Sequence, residues 1–298
     1  MATITLPGDY QPSVKSLLKD PTKIAGRIIS PDVSFLSDYL LRGPIATPSG
    51  VVEYEVAKLD DLYAGRGDFQ DIEPMAEYPM LDIAEGESTF GSANKYGAGY
   101  KVSYEAVDRN DVNPMIKGNR KIQNHLVRTD ATRTLAAFEK AVLENNRQVK
   151  ATGDWGKEGF AWMDLAKSLA GSPTGYNYTT LLVNKADAFK MVTAPDIREA
   201  TKFTDTRGTS PIYSSVFNNL NGLLGLEVII NDFVPANKAY LVEKNTAGFV
   251  ALEKDFQLRV IDKPETDHWL VQGSKRAAPF VDEPAAVMVI DKLDGSGA

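Results

Sequence analysis

The chain of 298 residues carries two histidines, His125 and His268, and no cysteine. Without cysteine there is no disulfide, no thiolate metal site, no iron–sulfur cluster and no thiol nucleophile. His125 falls in a helix-patterned segment and His268 at the start of a strand-patterned one. Neither has the neighbours of a general base or a metal ligand, and no metalloprotease His–Glu motif or calcium loop occurs. Gly156-Lys157 has the ending of a phosphate-binding loop, but Ala151 stands where its first glycine belongs and Glu158 where a hydroxyl is needed. Ser172 follows Gly171 directly, which is not the spacing of a nucleophile elbow. Asn177-Tyr178-Thr179 has the form of a glycosylation acceptor, but no export signal accompanies it. The acid pairs Asp60-Asp61 and Asp68/Asp71 lie in a Gly- and Pro-broken stretch, whereas catalytic carboxylates need a rigid, partly dry setting to separate their pKa values. No catalytic residue, metal or cofactor is expected.

The elements around these residues read as scaffolding. Prolines at 7, 12, 21, 31, 44 and 48 break the first fifty residues into an arm, with one short helix expected over Val33–Leu41. VVEYEV and KVSYEAV alternate as strands, and the long polar stretch between them predicts a projecting hairpin. From Asn110 to Lys150 apolar residues mostly follow helical spacing, with Pro114 suited to a first turn and Gly153 to a stop. Residues 155–255 read as α/β: helices GFAWMDLAKSLA, KADAFKMVTAP and SSVFNNLNGLLG alternate with strands TTLLVN, LEVIIN, KAYLVEK and GFVAL. FQLRVID, HWLVQ and AVMVIDKL are expected as closing strands. Hydrophobic residues at 43% and charged residues at 24% suit a folded chain with a sizeable core. No apolar stretch is long enough to span a bilayer, so the chain is expected to be soluble and made where it acts.

Charge is unevenly spread. The net charge is −7, which argues against global affinity for nucleic acid or anionic membrane. Residues 53–87 hold eleven acids and two bases, Asp60, Asp61, Asp68, Asp71 and Glu73 among them. Residues 117–150 hold eight bases, including Lys117, Arg120, Lys121, Arg128 and Arg133, against three acids. Two independent solvated surfaces would account for this. So would an acidic arm of one copy lying over a basic surface of the next, with these ten residues at the subunit interface. Exposed ion pairs contribute only about 0–1 kcal/mol each, but complementary fields steer docking and fix register. Weak contact of the basic helix with packaged nucleic acid is a further reading.

The order of parts resembles the major capsid proteins of tailed bacteriophages, the Hong Kong 97-type fold. The cues are Lys95–Asn113, with Ser103-Tyr104-Glu105 leading from the hairpin into the long helix, and the closing RAAPFVDEPAAVMVIDKL. The resemblance implies an α+β fold: an N-terminal arm (1–49), an extended loop (50–98), a peripheral domain with a spine helix (99–150 and 255–298) and an α/β axial domain (151–254). It implies a non-enzymatic shell protein that forms hexamers and pentamers around double-stranded DNA in the virion, assembled in the cytoplasm of a bacterial host. Portal and cement proteins are partners it implies, together with a separate scaffold protein or none, and without a membrane. Some relatives cross-link a loop lysine to an asparagine. Here the central part of the loop offers only Lys58 and no asparagine follows Asn245, so that lock is not expected. An encapsulin shell of the same fold, and a divergent α/β enzyme, are the competing readings.

Overall fold

The computed structural model describes residues 14–19, 35–58, 75, 87–195, 197 and 223–296. The expected helix SSVFNNLNGLLG lies almost wholly outside these residues. Among the described residues, two short helices precede the first strand, α1 (Val14–Lys19) and α2 (Leu36–Leu40). The long helix α4 (Asn113–Glu144) has 32 residues, or about 48 Å at 1.5 Å per residue. Its start is set by Pro114 in the first turn and by Asp111, whose carboxylate accepts from Asn113 N at 3.0 Å. At its far end Asn146 takes a left-handed φ of 52°, and Arg147 N returns to Val142 O at 2.9 Å.

The segment KVSYEAV, expected as one strand, splits. β4 (Lys95–Ser103) stops where the Ser103 side chain accepts from Ala106 N and opens a short helix, α3 (Tyr104–Asp108). Two hydrogen bonds to Glu105, one from its own backbone N–H and one from the Ser103 hydroxyl, hold its carboxyl below the usual range. The Ser-x-Glu step is therefore a helix cap.

The first sheet has the order β1-β9-β10-β4, with β1 (Arg42–Ala46) parallel to β9 (Phe249–Lys263). β10 (His268–Phe280) pairs antiparallel with β9 and β4. GFVAL and FQLRVID, expected as two strands, are one continuous β9, and a bulge near Arg276 absorbs the broken alternation at Lys254-Asp255. The helix α4 crosses one face of this sheet, where a Cβ on Gly118 would meet the Tyr100 ring and Ile122 reaches Gly273. Its buried face then turns. Met115, Ile122 and Leu126 serve the sheet side, whereas Leu135, Phe138, Ala141 and Val142 occupy the other flank.

The second sheet has the order β5-β11-β8-β6-β7, formed by β5 (Gln148–Lys150), β6 (Thr180–Val183), β7 (Glu227–Ile230), β8 (Lys238–Val242) and β11 (Val287–Asp291). α5 (Phe160–Ala170) and α6 (Lys185–Thr193) pack with it around Trp155, Leu165, Leu181 and Met191. Glu139 on α4 accepts from Lys238 Nζ at 2.7 Å and Tyr240 Oη at 2.9 Å, tying helix to second sheet. No described helix is long and apolar enough to cross a membrane. A separate hairpin, β2 (Val51–Val56) with β3 (Glu87–Ser92), carries the acidic stretch between its strands.

Candidate assembly surfaces

The buried carboxylates are committed to structure. Asp130 on α4 accepts from Ser37 N at 3.0 Å and from the Ser37 hydroxyl, fastening α2 to the spine. Asp164 accepts from Thr152 N, the Thr152 hydroxyl and Trp155 Nε1. Asp187 takes Asn237 N at 2.7 Å and pairs with Lys190. His125 is exposed on α4, and His268 Nδ1 lies against Thr266. Among the described residues no group of three or more His, Cys, Asp or Glu could hold a metal ion.

Burial raises the Asp130 carboxyl above the ordinary aspartate range, with Asp38 adding to the rise while Ser37 and Lys275 oppose it. A raised native pKa means that the folded state binds this proton more tightly than the unfolded chain. The stabilising contribution is then complete below the ordinary carboxylate value and is lost as pH climbs through the raised one. Asp130→Asn removes that titration. Urea melts at a pH near the ordinary aspartate value and at neutral pH should show the variant gaining on the native chain as pH rises; a gain in the opposite direction would contradict the assignment.

The sequence-derived interface residues divide clearly. Asp60, Asp61, Asp68, Asp71 and Glu73 lie outside the described residues. Lys117, Arg120, Lys121 and Arg128 are exposed and follow one helical stripe of α4. Arg133 points elsewhere: its Nη1 donates to Asn94 O at 3.1 Å and Ala277 O at 3.3 Å, and its guanidinium stacks 4.5 Å from the Tyr96 centroid. It braces α4 against the first sheet.

The base of the hairpin is anchored by aromatic contacts. Tyr54 lies 5.6 Å from Phe249 and 5.2 Å from Phe280, while Arg42 pairs with Asp282. Beyond that anchor, large apolar side chains meet solvent: Phe90 is 69% exposed, with Val51 and Ile45 near half. Leu143 and Ile116 on α4 are 64% and 58% exposed. Burying such groups contributes about 1.5–3 kcal/mol each, so these surfaces favour association.

A second basic surface exists only in the folded chain. On the first sheet, the side away from α4 carries Lys95 and Lys101 from β4, Lys254, Arg259 and Lys263 from β9, and Arg276 from β10. Strand pairing alone brings these alternate residues together. Their one sequence signal is the period-two placement of bases in Lys95–Lys101 and in Arg259–Lys263.

A helix laid across one sheet, a second sheet with its own helices and a separate two-stranded hairpin make up the Hong Kong 97-type capsid architecture. The family model described as phage capsid protein matches residues 86–290. The fold is shared with the capsid of cyanophage P-SCSP1u (11% identity, 87% of this chain and 88% of that one, TM-score 0.62). A phage-related protein from Bordetella bronchiseptica aligns at 14% identity over 94% and 98% of the two chains, TM-score 0.62. The SrpI encapsulin complex of Synechococcus elongatus aligns at 12% identity over 86% of each chain, TM-score 0.55. No curated protein matches the sequence. The chain belongs to the phage capsid protein family. It is a structural protein that assembles with itself into a shell.

Proposed function

We propose that copies of this chain form hexamers and pentamers that close into the icosahedral head of a tailed phage around double-stranded DNA. The observation that carries this reading is the set of large apolar side chains left in solvent on the hairpin and spine, led by Phe90 and Leu143. Residues 1–49 serve as the arm, 50–98 as the extended loop, 99–150 with 255–298 as the peripheral domain, and 151–254 as the axial domain. β9 enters the first sheet from Phe249 and β11 returns to the second, so the chain stitches the last two domains together. Assembly takes place in the bacterial cytoplasm, with a portal, a separate scaffold and cement proteins as partners, and no reaction is catalysed. The exposed α4 stripe of Lys117, Arg120, Lys121 and Arg128 fits weak, non-specific contact with phosphate or with acidic protein surface.

Reversing Asp60, Asp61, Asp68 and Asp71 to lysine should lower particle yield and change its salt response in sedimentation. Native yield and salt response would overturn the interface role of the acidic segment. Shells boiled in denaturant should run as a monomer band, because no covalent Lys–Asn lock is expected; a ladder would contradict this.

The encapsulin reading draws on the likeness to the SrpI complex and on a groove of about 330 Å³ between α1 and the start of α4, lined by Leu17, Met115 and Ile116. Absorbance of purified particles separates the two: packaged nucleic acid favours a phage head, and protein cargo without nucleic acid favours the compartment.

A further inference from the structure

The five-residue helix α2 cannot stand alone: it has no side-chain cap at its start and is far too short to persist in water. Leu36, Leu40 and the following Leu41 are buried and seat it by apolar packing. Its polar contacts then reach a different part of the molecule at nearly every step. The Phe35 ring, just before the helix, lies 4.5 Å from Lys275 Nζ of β10, in the first sheet. Ser37 is held by Asp130 of α4. Tyr39 Oη donates to Glu227 of β7, in the second sheet, and Lys244 Nζ lies 3.6 Å from the Tyr39 ring centroid and 3.9 Å from Glu227 Oε2. Leu40 O accepts from Asn245 N at 2.8 Å, where the chain leaves β8 for β9.

These contacts set direction more than they add stability. Among the described residues nine polar or charged side chains are buried, and three of them, Ser37, Asp130 and Lys275, converge on α2 and the residue before it. Apolar groups of similar volume would stabilise such a place as well or better, whereas buried hydrogen bonds and charges admit few geometries. Apolar packing by itself is non-directional and lets a wedge turn. The placement points the same way. The chain crosses between the two sheets at 243–248 and 281–286, leaving β8 and entering β11, which are neighbours in the second sheet. α4 reaches β8 too, through Lys238 and Tyr240. These ties lie near one line, and resisting rotation about that line takes a contact away from it. Tyr39 supplies one, because Glu227 stands on the edge strand β7, two strands from β8 and so about 10 Å to the side.

We propose that α2 is the joint that fixes the angle between the two sheets, and through that angle the curvature at which copies of the chain meet. The inference rests on the shell reading above, since a shell closes at one size only if each copy presents its neighbours within a narrow range of angles. Ser37 and Tyr39 are positioning residues. The leucines keep α2 seated, and these two side chains decide how it is turned. Loss of their hydroxyls leaves the apolar volume intact, so both sheets stay folded while a wider range of angles opens between them.

The test compares two matched pairs of changes in the full chain. Ser37→Ala/Tyr39→Phe removes the hydroxyls of the joint. Ser103→Ala/Tyr104→Phe removes the same two groups at the other end of the first sheet, where Ser103 caps α3 and Tyr104 bonds to Asp262 of β9. Hydrogen exchange in the joint pair should rise by about tenfold or more at the Ser37 and Asn245 amides, with native protection kept inside β8 and β10. Negative-stain microscopy should show its particles spread over several diameters and open forms, whereas the control pair keeps the native diameter. Native diameters from the joint pair would overturn the proposal, as would an equal spread from both pairs. So would faster exchange throughout both sheets, the mark of plain destabilisation. If the joint pair gives no particles, its co-assembly with the native chain decides: spread diameters support the joint, and native diameters overturn it. If the native chain itself forms no particles, the shell reading fails instead, and the exchange measurement still decides whether α2 ties the sheets together.

Discussion

Gly118→Val is expected to destabilise the chain by several-fold more than an ordinary helix substitution, and even Gly118→Ala is expected to cost about 1–3 kcal/mol. In an exposed helix the alanine change would help, since glycine is about 1 kcal/mol worse than alanine. Here α4 meets the sheet at this residue, and an added Cβ would fall against the Cγ, Cδ1 and Cδ2 atoms of Tyr100. Those atoms are the root of the ring. Its far end is held as well, because Tyr100 Oη donates to Asn119 Oδ1 at 2.7 Å. The ring cannot move aside without breaking that bond, so the helix must lift from the sheet. Urea unfolding at fixed pH reads the effect, with the order glycine, alanine, valine from most to least stable. A stabilised alanine variant would contradict the close approach of α4 to β4.

Asp164→Ala should have an effect of similar size at the other end of the molecule. The carboxylate of α5 gathers Thr152 N at 3.0 Å, the Thr152 hydroxyl and Trp155 Nε1 at 3.0 Å. It closes the 151–159 loop over a fully buried indole. Truncation strands these donors, at about 1–3 kcal/mol for each one left buried without an acceptor. Asp164→Asn keeps one carbonyl acceptor and should recover part of the loss. The readout is the denaturation midpoint together with tryptophan fluorescence, which should shift toward that of a solvated indole in the alanine variant. Unchanged emission and midpoint would remove Asp164 from this role.

Local pattern made much of the fold legible in the sequence. Helical spacing and Pro114 marked α4, and apolar runs bounded by turn residues marked β6, β7 and β8. Three features were not legible, for reasons that lie in tertiary pairing. The buried face of α4 turns between Leu126 and Leu135 because the helix serves two partners, the first sheet and then the second, which blurs a single amphipathic stripe. Lys254-Asp255 interrupts the alternation that would join GFVAL to FQLRVID, and a bulge absorbs the interruption. Arg133 counts in sequence as one more base on the spine, yet its direction around the helix sends it into the Asn94 and Ala277 carbonyls.

The candidate surfaces divide in the same way. The stripe of Lys117, Arg120, Lys121 and Arg128 could be read from one continuous helix. The basic sheet face could not, because its bases come from strands more than 150 residues apart in sequence and are gathered only by the pairing of β4, β10 and β9. Charge summed along the chain sees one element at a time.

The most direct measurement of self-assembly is negative-stain microscopy of the purified full-length chain across a range of salt concentrations. Closed shells, or ring-shaped hexamers and pentamers that convert to shells, are the predicted result. A compact monomer or dimer under every condition would contradict the account, and would mean that the exposed apolar groups of the hairpin and spine are covered by something other than a second copy.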